Sequence, residues 1–140
     1  MALKTYSGSC HCGAVRFQAD IDLSAGTARC NCSICTKARA WFVLVKADRV
    51  RLISGAEAQT EYQWTPPGQP HPVLHYLFCR TCGVRAFGRG ELESLGGAFC
   101  FVSIASLDDA DPDELAAAPI RYVDGRNNRF DQRPADTRLM

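Results

Sequence analysis

Phe78-Cys79-Arg80-Thr81-Cys82-Gly83 is the segment from which the architecture can be read. A Cys-x-x-Cys pair followed by glycine is a zinc-knuckle pattern, and it carries weight when a second pair stands elsewhere in the chain. The second pair lies in Gly8-Ser9-Cys10-His11-Cys12-Gly13, and it too is followed by glycine. A glycine directly after a ligand lets the backbone turn with positive φ, so that amide N–H groups can point at a thiolate. Together Cys10, Cys12, Cys79 and Cys82 form a closed four-thiolate site that joins two remote parts of the chain. Closing so long a loop stabilises the fold by restricting the unfolded chain, provided the metal binds the folded form. His11 is not expected as a ligand, because three consecutive ligating residues would make a strained bite.

Between these pairs stands Cys30-Asn31-Cys32-Ser33-Ile34-Cys35, with three thiols in six residues. Two cysteines two apart in an extended strand are ~6.5 Å apart. A tetrahedral zinc with Zn–S bonds of ~2.3 Å needs its sulfurs ~3.8 Å from one another. The backbone must therefore turn, and small polar Asn31 and Ser33 suit a turn. Cys32 and Cys35 follow at the Cys-x-x-Cys spacing of one tight turn. Three thiolates leave one corner of a tetrahedron open, and an open corner is where a zinc site can do chemistry. Cys100, alone in an apolar stretch, reads as a small buried hydrophobe rather than a fourth ligand of this trio.

The chain has 140 residues, enough for a single domain that buries roughly two-thirds of its unfolded surface. Residues 1–140 are read as one zinc-binding domain, with a core over about 6–125 and a polar tail over 126–140. A net charge of +1 argues against a dedicated nucleic-acid binder, which carries a strong basic excess. No apolar stretch approaches the ~18 residues that cross a bilayer. The N-terminus, Met1-Ala2-Leu3-Lys4-Thr5, lacks the apolar run of a signal peptide. Clustered cysteines without secretion read as metal ligands or redox groups in the cytoplasm rather than as disulfides.

The rest of the chain reads as short strands. Val15, Phe17, Ala19, Ile21 and Leu23 alternate with polar residues, as in a half-buried antiparallel strand. Residues 40–45 form a continuous apolar run, the mark of a central strand. Val50 and Leu52, and then Thr60, Tyr62 and Trp64, alternate again. Four prolines within residues 66–72 predict an exposed connection, with His71 a solvated loop residue. Residues 73–78 read as the strand that delivers Cys79, and 98–104 as another apolar strand. A single short helix is predicted over 111–118, capped by Asp111, opened by Pro112 and stopped by Pro119. Residues 120–123 follow as a last strand, and the polar residues after them read as a surface tail or an arm over a neighbour.

The three cysteine segments, Gly8 to Val15, Cys30 to Cys35 and Phe78 to Val84, resemble the glutathione-dependent formaldehyde-activating enzyme family, which also includes centromere protein V. The likeness covers roughly residues 6–108 and rests on seven cysteines in the family's order and spacing. It implies a mainly β, Mss4-like fold, a β-tent of small antiparallel sheets around the four-cysteine zinc site, with one short C-terminal helix. It implies two zincs: a structural one on Cys10, Cys12, Cys79 and Cys82, and an exchangeable, catalytic one on Cys30, Cys32 and Cys35. The implied activity is that of a carbon–sulfur lyase forming or cleaving a small thiol adduct, such as S-hydroxymethylglutathione from formaldehyde and glutathione.

Three thiolates on Zn²⁺ leave the site at net charge −1, a soft centre suited to a sulfur ligand. A substrate thiol held there would lose its proton and become the nucleophile. Arg29, Lys37 and Arg39 flank the trio and could offset the thiolates and the carboxylates of glutathione. His75 is a candidate base if it faces the site. The competing reading is a non-catalytic zinc module that binds a protein or nucleic acid.

Overall fold

The computed structural model describes residues 3–140, so Met1 and Ala2 of the N-terminal reading lie outside the described residues. Among the described residues, ten strands form two sheets. The smaller sheet joins β1 (Lys4–Ser9), β2 (Arg16–Ile21) and β5 (Val50–Ser54) in the antiparallel order β1-β2-β5. The larger contains β3 (Thr27–Cys30), β4 (Phe42–Lys46), β6 (Gln59–Trp64), β7 (Leu74–Cys79), β8 (Phe87–Leu92), β9 (Gly97–Ser103) and β10 (Ile120–Val123). Its order is β10-β3-β4-β9-β8-β7-β6, antiparallel throughout except for the outer pair β10 and β3, which run parallel.

The expected mainly β, Mss4-like architecture is what forms. The alternation of residues 15–23 is obeyed: Val15, Phe17, Ala19, Ile21 and Leu23 are all buried. The apolar run at 40–45 becomes β4, inside the larger sheet between β3 and β9. Thr60, Tyr62 and Trp64 lie on the edge strand β6, where Tyr62 is 51% exposed, so alternation there does not mark a buried face. The proline-rich connection is mostly exposed, as expected, and His71 bonds only to the Pro72 carbonyl oxygen.

Register assigns the two faces of the larger sheet. Directly paired residues of antiparallel strands project to the same side. Val43, Val102 and Phe87 form one such row, and Val45 and Cys100 belong to that face. This face packs on the smaller sheet, with the Phe87 and Phe17 rings 5.4 Å apart. Leu44, Phe101, Gly88, Tyr76 and Tyr62 form a row on the opposite face. Strand alternation then places Cys79 on the core face, and Cys30, two residues beyond Ala28 and its partner Phe42, on the other.

Two short α-helices are present where the sequence predicts one. The C-terminal helix, α2 (Pro112–Ala117), has the predicted cap: the Asp113 N–H donates to the Asp111 carboxylate at 2.8 Å. The additional helix, α1 (Ser33–Ala38), is built from the trio itself. The turn that brings the thiols together continues as a helix, with Thr36 N donating to Cys32 O at 2.9 Å and Arg39 capping it at φ 52°. Six residues are too few to sustain a helix alone, so its local contacts must hold it.

Across the three strands of the smaller sheet, Arg51 grips Asp20 through two hydrogen bonds of 2.8 and 2.9 Å, and Thr5 adds one of 2.7 Å. These donors hold the Asp20 carboxyl well below the usual carboxylate range. A folded-state value below the unfolded one means that the pair's stabilisation is present above about pH 4 and is lost as pH falls through the folded value. Urea midpoints of the parent and Asp20→Asn should therefore differ at pH 6 and converge as the medium is acidified. A difference independent of pH would contradict this.

Candidate metal centres

The first cysteine cluster is assembled by two similar turns. Cys10 N donates to Val15 O at 3.0 Å, and Cys79 N to Val84 O at 3.0 Å. Gly13 and Gly83 take φ of 81° and 78°, the positive φ anticipated for a glycine after a ligand. The four Sγ atoms of Cys10, Cys12, Cys79 and Cys82 lie within 4.8 Å of one another. Two of the separations, Cys10–Cys12 at 3.7 Å and Cys12–Cys79 at 3.6 Å, fit the ~3.8 Å edge of a tetrahedral zinc–thiolate site. Backbone N–H groups point at the sulfurs, Val15 N to Cys10 Sγ at 3.3 Å and Thr81 N to Cys79 Sγ at 3.4 Å. The N–H groups of Cys12 and Val84 bring the Cys82 thiol down to about 6, so it ionises readily at neutral pH. Cys10 and Cys79 are buried, Cys82 is part-exposed and Cys12 exposed, and His11 is exposed and outside the cluster. The donor set fits a closed four-coordinate metal.

The second cluster has its three Sγ atoms, of Cys30, Cys32 and Cys35, within 4.8 Å of one another. Cys30 ends β3, Cys32 caps α1 and Cys35 lies one turn along it, so the i, i+3 spacing aims both helix thiols at Cys30. Hydrogen bonds from Cys30 and Cys35 hold the Cys32 thiol far below its ordinary value, and contacts with Cys30 and Cys32 push Cys35 up. Like charges this close cannot all ionise unaided, whereas a divalent cation removes that penalty. Cys30 is buried, while Cys32 and Cys35 remain partly exposed. Cys100 lies on the opposite face of the sheet and does not join the trio.

Residues after β10 fold back onto this loop. Asn31 Nδ2 donates to the buried Asp124 carboxylate at 2.9 Å, and Arg126 N donates to Asn31 Oδ1 at 2.8 Å. Asn127 also donates to Asp124, at 2.9 and 3.1 Å. Part of the expected surface tail therefore packs on the trio. Gly125 sits against it so closely that a Cβ there would lie 2.5 Å from Cys30 Sγ and 3.2 Å from Cys32 Cβ. Gly125→Ala should weaken metal retention by the trio at least tenfold while the four-cysteine cluster keeps its metal. Stepwise removal by a graded chelator, with metal counted at each step, checks this. Equal retention by the variant would contradict the close contact.

The flanking cations divide. Arg29 and Arg39 border a cavity of about 30 Å³ with Cys30 and Cys35, but Arg29 stacks on Trp41 at 5.3 Å and Arg39 Nη1 donates to Leu139 O at 3.4 Å. Lys37 is exposed in the last turn of α1. His75 is neither at the trio nor buried: it shares a face with Cys100, and its Nδ1 lies 2.9 Å from Glu61 Oε1. A cavity of about 660 Å³ is lined by residues such as Leu44, Arg121 and Phe130 and by no cysteine.

Sequence reasoning misses what lies on the trio's own face. Phe42, Phe101 and Tyr76 form an aromatic run there, with ring centroids 6.5 and 5.4 Å apart. Arg85 stands over Tyr76 at 4.9 Å and Phe101 at 5.9 Å. Burial and then the thiols of Cys35 and Cys32 push the Tyr76 phenol up, while Arg85 pulls it down. Tyr76 thus lies within electrostatic reach of both the trio and the guanidinium.

A β-tent with one cluster of four cysteines and a second of three defines a class of cysteine-rich domain whose thiols could hold metal ions. Comparison with known proteins agrees with that class. The family model described as glutathione-dependent formaldehyde-activating enzyme matches residues 5–124, and the chain belongs to that family. A crystal structure of a Rhodobacter sphaeroides protein is similar at 29% identity and a TM-score of 0.64, covering 82% of this chain and 99% of that one.

Proposed function

We propose that this chain is a zinc-dependent carbon–sulfur lyase that forms or cleaves the adduct of a small thiol with an aldehyde, with glutathione and formaldehyde as the first pair to test. The observation that carries the reading is the trio: three sulfurs within 4.8 Å, two of them part-exposed, with no fourth cysteine beside them. Cys10, Cys12, Cys79 and Cys82 would hold the structural zinc, and Cys30, Cys32 and Cys35 the exchangeable one. Zinc on the trio would supply a soft positive centre that takes a substrate thiol as its thiolate.

The new bond joins the thiol sulfur to the aldehyde carbon, and the thiol proton ends on the aldehyde oxygen; cleavage reverses both changes. Tyr76 stays a neutral phenol on this face, able to donate a hydrogen bond to an aldehyde oxygen. The Asn31–Asp124 pair holds the loop that carries Cys30 and Cys32. No helix among the described residues is long and apolar enough to cross a membrane. Reduced metal-binding thiols suit the cytoplasm, where this reading places the protein.

Exchange NMR of formaldehyde with glutathione, with and without the zinc-loaded protein, is the test. An increased rate of adduct formation and breakdown is expected. An unchanged rate would end the glutathione assignment, and two equally inert zincs would favour a binding module.

A further inference from the structure

We propose that Arg85 anchors a carboxylate of the thiol substrate, so that the site selects anionic thiols over neutral ones; this rests on the reading of the trio as a thiol site. The trio and the aromatic run share one face of the larger sheet, and Arg85 stands above that run. No carboxylate pairs with Arg85 among the described residues, although it is only half exposed. Of the other cations near the trio, Arg39 and Arg126 donate to the Leu139 and Asn31 carbonyls, Lys37 is exposed in the last turn of α1, and Arg29 stacks on Trp41 rather than over the aromatic run.

Position is what makes Arg85 suitable. Cation–π attraction to Tyr76 and Phe101 holds its guanidinium at the aromatic run before any ligand arrives. No carboxylate occupies its donors, and a guanidinium can take both oxygens of a carboxylate in a fork. The chemistry recognised is therefore a thiol with a carboxylate in the same small molecule, sulfur toward the trio and carboxylate toward Arg85.

Titration calorimetry on the zinc-loaded protein tests this without formaldehyde. The probes are glutathione and its diethyl ester, which differ in carboxylate charge and keep the thiol. The parent should bind the free acid at least tenfold tighter than the ester. Arg85→Met, which keeps an apolar stem over Tyr76 and Phe101, should erase that preference and leave the ester's Kd unchanged; Arg85→Lys should keep part of it. The proposal is overturned if the parent shows no preference or no binding, or if Arg85→Met weakens both probes equally, as a packing role would. Selective binding without any rate increase in the NMR exchange would sink the lyase reading and leave the anchor standing.

Discussion

Replacing Cys32 by serine is expected to abolish adduct turnover, with a loss of at least about a hundredfold, while the chain stays folded and retains one zinc of two. Loss of an outer-shell partner of a metal ligand already costs roughly 10–100-fold in affinity or activity, and Cys32 is proposed as a ligand itself. Hydrogen bonds from Cys30 and Cys35 hold its thiol low. The fold should survive because the trio lies on the face of the larger sheet turned away from the smaller one, and Cys32 is part-exposed. Elemental analysis for zinc, circular dichroism and the exchange assay on one preparation check all three parts. Full turnover with one zinc would remove the trio from the mechanism.

Cys79→Ser should do the opposite and remove the fold. Cys79 is 1% exposed and ends β7 on the core face, touching both the opposing cysteine turn and the hydrophobic cluster. Structural zinc in small domains contributes about 10–16 kcal/mol of apparent binding free energy. A whole domain is stable by only about 5–15 kcal/mol. Losing a substantial part of the first quantity therefore exhausts the second. The variant should show no cooperative thermal transition and bind neither zinc tightly. A cooperative transition within a few degrees of the parent's would mean that the four-cysteine cluster does not hold the fold.

These two expectations separate the clusters by function, and the separation has a structural origin. The four-cysteine cluster joins residue 10 to residue 82 through the buried Cys10 and Cys79, at whose sulfurs backbone N–H groups already point. The trio is local in sequence, so its loss leaves the long-range closure intact. Gly125 and Asp124 connect the trio to the strand that ends the larger sheet, which is why a substitution there should disturb one metal and not the other.

The sequence by itself determined which cysteines could cluster and most of the strands. Cys-x-x-Cys-Gly and Cys-x-Cys-Gly are short-range patterns whose geometry follows from a few dihedrals, so Gly13 and Gly83 could be read as positive-φ positions. Alternation over residues 15–23 reports one buried face, because every second side chain of a strand points the same way. Strand β8, with glycines at 88 and 90, shows no such pattern, because the Phe101 and Phe99 rings fill the space that side chains would occupy. The helix in the trio was not legible either, since six residues carry too little propensity to announce one.

Only the tertiary structure decided which cluster faces the core, that His75 lies on the side away from Cys30, and that Arg85, Tyr76 and Phe101 meet on the trio's own side. Those facts depend on the register of strands far apart in sequence. A one-residue slip in any pairing would send the same side chains to the other face. Local chemistry can name the groups that bind a metal, but the larger sheet's pairing sets which groups share its surroundings.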